Sequence, residues 1–497
     1  MLAKFFNDHP GAGHLSALLA GFLLPLSLAP FDWWPLGILS VLVFLGSISD
    51  QSPARTLVRF YLYSVGMFSL GVSWIYVSIN VYGGAPVILA GFLVILFVLA
   101  WSLNGLLFGF FYTRWIKYFP KGQLLVFPAL WVFMEWFRGW FLTGFPWLYI
   151  GYGHLSSPLA GYAPVVGVLG VSFCVVLSAA LIFQFFERRK IGPVIGLLII
   201  WMSGFALSSV NFVTEQKQIS VAAVQGNIDQ HTKWQRKMVG PILDQYLGLT
   251  NDQWGADIII WPEAAITLFR ENALGFLKEL DHRGKQSGST LVLGVPDRDA
   301  DGSFLNTAVV VGNGQGSYIK RHLVPFGEFV PFENLLRGLI SFFDLPMSHN
   351  KSGPEDQPTL LADTLKLSLS ICYEVAYSEL VRSTAELPDL FITISNDTWF
   401  GSSIGPSQHL QIAQMRALEN GRYMLRATNS GITAVINHRG QITASLPQFE
   451  PGVLRSSAGI MTGTTPFHRF GSLPILLLCF VWLGLLAIIG RSTTKIF

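Results

Sequence analysis

Charge is what this sequence has least of. Asp, Glu, Lys and Arg make up 13% of its 497 residues, about half of the roughly 25% usual in soluble proteins. The shortage is uneven: of sixty-three charged residues, fifteen fall in 1–212 and forty-eight follow. A stretch of this length with so little charge cannot cover a globular surface, so a membrane-embedded part is expected first and a globular part second. A net charge of +3 is too small to point to nucleic acid, and no basic patch with interleaved aromatics is present. Cysteine is scarce too: Cys174 and Cys479 lie in apolar runs, which leaves Cys372 alone in the charged part and excludes a disulfide framework there. There is no GxGxxG after a strand, no P-loop and no HExxH. The histidines do not fall at metal-ligand spacing with Cys or carboxylates, so neither a metal nor a cofactor is expected. Internal repeats and low-complexity tracts are also missing.

What is present begins with apolar runs near 12–30, 33–49, 57–80, 86–113, 122–141, 162–186 and 192–212. Each approaches the roughly 20 residues needed to cross a bilayer. Further apolar runs follow the first directly, and it lacks a clear small-residue cleavage site, so it does not read as a signal peptide. Arg55 and Arg59, then Arg114, Lys117 and Lys121, then Arg188, Arg189 and Lys190 fill alternate connections, while the others hold only Arg138. The positive-inside rule then places these basic connections and the N-terminus in the cytoplasm. Seven crossings bring the chain to the far side near Asn211. A last run near 471–490, followed by Arg491 and Lys495, returns it, which makes eight spans in all. The expected division is a seven-span membrane domain at 1–213, an extracytoplasmic domain at 214–465, and a last span with a short cytoplasmic tail at 466–497. Within the spans, Glu135 and Arg138 stand three apart, as an ion pair on one helix face would. Trp33, Trp34 and Trp147 read as interfacial anchors.

The charged part alternates short apolar strands with helical segments. Strands are expected at 219–224, 257–261, 290–295, 307–311, 366–371 and 390–394, and helices at 271–286 and 408–419, which is the pattern of an α/β sandwich. Three strand exits carry reactive side chains. The run 365–371 alternates apolar and polar residues and then breaks at Cys372-Tyr373-Glu374. The run 257–261 ends at Pro262-Glu263, and Gly316-Ser317-Tyr318-Ile319 ends at Lys320. Taken singly, each has a bland reading: a free cysteine is more often a small buried hydrophobe, and loop glutamates and lysines are mostly solvated. An extracytoplasmic position weighs against the bland reading of Cys372, because a lone thiol is an oxidation liability there. Together, a glutamate to take the thiol proton, an ammonium to lower the thiol pKa and steady an oxyanion, and a thiol to attack a carbonyl would form a thioester-making site.

In order and spacing, Trp261-Pro262-Glu263, Lys320-Arg321-His322-Leu323-Val324-Pro325-Phe326-Gly327-Glu328 and Cys372-Tyr373-Glu374 resemble the three active-site motifs of the nitrilase superfamily. With apolar spans on both sides, the chain resembles over nearly its whole length the membrane-embedded branch of that superfamily, the bacterial apolipoprotein N-acyltransferases. Further matches are Val224-Gln225-Gly226-Asn227, Trp234, Phe329-Val330-Pro331, Asn396-Asp397-Thr398-Trp399-Phe400-Gly401, Gln408-His409 leading to Arg416-Ala417-Leu418-Glu419, and Thr143-Gly144-Phe145-Pro146-Trp147. The resemblance implies an α-β-β-α sandwich held in the periplasm by an inner-membrane protein, with both termini cytoplasmic and the chain a monomer. It implies a ping-pong reaction without cofactor. Cys372 takes an acyl chain from a phospholipid and passes it to the α-amine of an apolipoprotein's diacylglyceryl-cysteine. In this picture Glu263 is the general base and Lys320 stabilises the tetrahedral intermediates. Glu328 orients the lysine, Tyr373 and Glu374 support the nucleophile, with the Tyr373 N–H as an oxyanion donor, and Trp234 stands near the acyl pocket. A membrane-tethered amidase that gives its thioester to water shares the triad. A transporter with an external binding domain fits poorly, because the spans carry almost no central charges. The apolar segment 335–343 reads either as an arm that dips into the leaflet and gates lipid entry or as a core helix.

Overall fold

The structure is a computed structural model that describes residues 2–116, 123–330, 350–383 and 386–494. The segment 335–343 lies outside the described residues. The chain forms two units: 1–76 with 87–211 and 465–497, and 77–86 with 212–464.

The first unit is helical. Among the described residues, Val87–Arg114 and Pro158–Arg188 are long and apolar enough to cross a membrane, and Pro53–Gly71 with Trp74–Tyr82 makes a third if the pair is one span. Pro10–Leu26, Pro35–Ile48, Gly192–Ser208 and Leu473–Leu485 are apolar but shorter. Several of these helices carry Pro in their first turn, where the missing N–H has no helical acceptor to lose. Glycine lets two of them touch at the backbone. A Cβ on Gly21 would stand 2.1 Å from the Tyr63 carbonyl, and one on Gly66 2.1 Å from the Leu18 carbonyl, the small-residue packing that apolar helices rely on. Two expectations change here. Trp147 is 1% exposed and packs 5.4 Å from Trp74, so it is a core residue, while Trp33 is exposed. Glu135 and Arg138 take separate partners. Glu135 accepts from Trp131 Nε1 at 2.9 Å and Ile150 N at 2.8 Å. Arg138 donates to the Leu148 carbonyl at 3.1 Å and lies over the Phe68 and Tyr149 rings.

The second unit is built on twelve strands: β1 (Val213–Gln225), β2 (Ile258–Ile260), β3 (Thr290–Arg298), β4 (Phe304–Gly312), β5 (Gly314–Ile319), β6 (Leu360–Ala362), β7 (Leu365–Ile371), β8 (Leu390–Ser395), β9 (Met424–Thr428), β10 (Ala434–Ile436), β11 (Ile442–Ser445) and β12 (Gly452–Gly463). Their order is β11-β10-β9-β8-β7-β6-β5-β4-β3-β2-β1-β12. Two parallel triplets, β1-β2-β3 and β7-β8-β9, sit in opposite halves of this ribbon. The period of two sorts the side chains into layers. Val221, Ala223, Ile258, Ile260 and Val292 meet Leu367, Leu369, Ile371, Ile392 and Leu425 in one inner core, so the two halves face each other. The alternate residues Ala222, Val224, Ile259, Trp261, Leu291 and Leu293 point the other way. They pack with Ile242 and Tyr246 of helix Val239–Thr250 and with Leu277 and Leu280 of helix Leu274–Ser287. Helix Gly405–Asn420, almost wholly buried, lies against the other half. The layers are therefore α-β-β-α. The segment 77–86 also belongs to this unit: Ser78 donates to the Trp399 carbonyl at 2.8 Å, and the Tyr82 ring stacks on His231 with centroids 5.6 Å apart.

Gly294 in β3 makes room for the bend that follows β2. A Cβ there would stand 2.4 Å from the Pro262 carbonyl and 2.8 Å from Glu263 Cα. All of these neighbours are main chain and cannot swing aside. Gly294→Ala is expected to destabilise the unit by about 1–3 kcal/mol and to displace Glu263. A fall in the thermal unfolding midpoint together with a loss of activity checks this.

Candidate active site

The three side chains leave their strands on one side of the unit. Glu263 follows β2 after Trp261 and Pro262, Lys320 follows β5, and Cys372 follows β7. Lys320 is 1% exposed. Its Nζ lies 2.9 Å from both carboxylate oxygens of Glu328 and 3.7 Å from Glu263 Oε1. Burial alone would lower this ammonium, but the charges of Glu328 and Glu263 outweigh burial and hold it above the ordinary lysine range. Each carboxylate has its own donors. Glu263 accepts from Asn306 Nδ2 at 2.7 Å and from the Asn396 N–H at 2.8 Å. Glu328 accepts from the Val324 N–H at 2.8 Å and from Asn306 Nδ2 at 3.1 Å. Asn306 thus ties the two glutamates together, while its own carbonyl accepts from the Lys320 N–H.

Cys372 is half-buried and packs against the inner core. Its φ is +55°, the left-handed region that a non-glycine residue enters only under constraint. Burial raises the thiol above its ordinary range, and the charge of Glu263 adds to this. Lys320 opposes the rise without reversing it. Lys320 thus acts on the thiol in the expected direction, but desolvation is the larger effect, so the thiol is held above its ordinary range.

Glu374, fully buried, turns back across this site. Its Oε1 accepts from Tyr318 OH at 3.0 Å, the Arg321 N–H at 2.6 Å and the His322 N–H at 3.0 Å, and its Oε2 accepts from the Ile371 N–H at 2.7 Å. It clasps the exit of β5 to the end of β7, so that Lys320 and Cys372 are held relative to each other. Tyr373 is buried edge-on to Tyr377 at 5.2 Å. Trp234, 38% exposed, lies at the rim. Beside it, the ammonium of Lys233 is buried and donates to the Glu263 carbonyl at 3.3 Å. Burial lowers Lys233 to about 8, against the pull of Glu263. Sequence reasoning missed Asn306 and Lys233. Asn306 left a signal, a lone amide in an apolar strand. Lys233 left none, standing in a polar loop. Among the described residues no group of three His, Cys, Asp or Glu could hold a metal ion.

Two outcomes follow from this geometry. An amide at position 374 must set N–H against N–H at one of its contacts, so Glu374→Gln is expected to destabilise the unit by about 1–3 kcal/mol, read as a lower unfolding midpoint. Because the thiol is raised, alkylation of Cys372 by iodoacetamide is expected to quicken about tenfold per pH unit between about pH 7 and 9. A plateau below about pH 8 would mean a pre-formed thiolate.

Comparison with known proteins bears on this arrangement. A model of the apolipoprotein N-acyltransferase N-terminal domain matches residues 20–181, and a carbon-nitrogen hydrolase model matches 220–458. The chain is similar to the apolipoprotein N-acyltransferase of Pseudomonas syringae, at 45% identity over 97% of this chain and 98% of the relative. It is also similar to that of Vibrio cholerae, at 40% identity over 95% of each. Among solved structures, a CN-hydrolase superfamily protein from Xanthomonas campestris is 17% identical with a TM-score of 0.38, over 49% of this chain and 91% of that one. The second unit has the carbon-nitrogen hydrolase fold, and the chain belongs to the apolipoprotein N-acyltransferase family.

Proposed function

We propose that Cys372 carries an acyl group from a phospholipid to the N-terminal amine of a diacylglyceryl-modified apolipoprotein. The observation that carries this reading is the buried Glu263–Lys320–Glu328 cluster, of which Glu263 and Lys320 act by their charges on the Cys372 thiol. In the first half-reaction Sγ attacks the ester carbonyl carbon and Glu263 takes the thiol proton. The Lys320 ammonium and the Tyr373 N–H steady the oxyanion. The intermediate collapses to the thioester, and the proton on Glu263 passes to the departing lysophospholipid alkoxide. In the second half the α-amine attacks the thioester and gives its proton to Glu263. The thiolate leaves, recovers a proton, and the product is an amide.

In this reading Glu328 fixes Lys320, and Glu374 fixes the spacing of Lys320 and Cys372. Tyr373 walls the nucleophile, and Trp234 borders the acyl path. In this reading the part up to 213 supplies seven spans and the segment after 465 the eighth. Both termini lie in the cytoplasm and the catalytic unit in the periplasm at the inner membrane. The enzyme works as a monomer and takes both substrates from the membrane.

Incubation with phospholipid, followed by intact mass spectrometry, is expected to show a gain of one acyl chain on the wild type and none on Cys372→Ser. Addition of a diacylated lipopeptide is expected to discharge that mass into a triacylated product. Discharge only as free fatty acid would favour the membrane-tethered amidase.

A further inference from the structure

A second set of buried polar groups stands behind the nucleophile, and acyl transfer as described above makes no use of it. Asp397 follows β8, His409 lies on helix Gly405–Asn420, and Arg426 is in β9. All three are at most 2% exposed. His409 Nε2 is 3.1 Å from the Cys372 carbonyl oxygen. Its Nδ1 is 3.0 Å from Asp397 Oδ1 and 3.0 Å from Arg426 Nη2. Arg426 Nη2 also pairs with Asp397 Oδ2. Asp397 Oδ1 accepts from the Ser395 hydroxyl at 2.6 Å.

The chemistry of these atoms fixes the direction of the hydrogen bonds. A carbonyl can only accept, so His409 Nε2 carries the ring proton. Nδ1 faces a donor, Arg426 Nη2, and an acceptor, Asp397 Oδ1. Burial and the Arg426 charge lower the ring's pKa, against the pull of Asp397 and its hydrogen bond. Burial alone would raise Asp397, but Arg426 and His409 reverse this and hold it well below the usual carboxylate range. Arg426 and Asp397 pair as opposite charges, and the imidazole presents its Nε2–H to the Cys372 main chain.

That N–H is placed where the sheet stops supplying one. β7 pairs with β8 as far as Ile371↔Ile394, and Cys372 then turns into the left-handed region. There it opens a short 3-10 turn, Cys372–Ala376, and a left-handed non-glycine residue persists only when its surroundings over-determine it. We propose that His409, braced by Asp397 and Arg426, is a positioning residue for acyl transfer. Its Nε2–H holds the Cys372 carbonyl and with it the turn that aims Sγ at Glu263 and Lys320. This rests on the reading of Cys372 as the nucleophile.

The test uses the full-length protein in detergent, with phospholipid as acyl donor. Thioester formation is followed by intact mass, thermal unfolding is recorded alongside, and Cys372→Ser is the control. His409→Phe is expected to lower kcat about a hundredfold, the scale of an ångström-sized misplacement, with KM for phospholipid within about twofold. His409→Gln, whose amide N–H can reach the same carbonyl, is expected to restore kcat to within about tenfold of wild type while remaining measurably below it. If His409→Phe does not fold, the Gln variant decides: a reduced kcat at unchanged KM supports positioning. Wild-type kcat in either variant, or a rise in KM with kcat unchanged, overturns it. An acyl adduct that persists in Cys372→Ser sinks the reading of the nucleophile instead, so the two failures are distinguishable.

Discussion

The catalytic unit depends on one buried cation. An ammonium removed from water is tolerated only if anions and hydrogen bonds replace its hydration, and Lys320 has Glu328 on one side and Glu263 on the other. Those carboxylates are buried in their turn and need donors. The N–H groups of Val324 and Asn396 and the Asn306 amide supply them. The requirement thus spreads from one side chain into four separate stretches of chain, and the strand exits have little freedom in where they lie. The Glu263 charge beside Cys372 adds to burial in favouring the protonated thiol.

Much of this was legible before any coordinates. Glu263 and Cys372 each follow a run with apolar residues at strand period, and Lys320 follows the short strand that ends at Tyr318-Ile319. The inner strands β1 to β4, β7 and β8 were readable for the same reason, since both of their faces are buried. β6, β10 and β11 were not. The first two have three residues each and β11 has four, three of them exposed, too short for alternation to register. Helix Val239–Thr250 contains Gly240, Pro241 and Gly248, which disguise it as a loop. Glu135 and Arg138 stand at helical spacing, but spacing does not reveal that Trp131, Ile150 and Leu148 offer them other partners.

The thiol shows how two true statements can combine to the opposite of what either suggests. A neighbouring lysine does favour a thiolate, and Lys320 does act that way on Cys372. Charge proximity is visible in a sequence as a plausible partner, whereas desolvation is a property of everything packed around the sulfur. The second is the larger here, and it becomes visible only when Cys372 is seen against the inner core.

The segment 77–86 has a further implication. It lies far from the catalytic unit in sequence, yet it puts the Tyr82 ring on His231 and the Ser78 hydroxyl on Trp399. Trp399 is three residues beyond Asn396, whose main chain holds the Glu263 carboxylate. The catalytic unit is therefore not a contiguous cassette. A gene fragment that begins at 212 encodes every strand together with Glu263, Lys320 and Cys372 but omits part of the unit's own packing. Grafting this unit onto another scaffold means carrying the ten-residue segment 77–86 along with it.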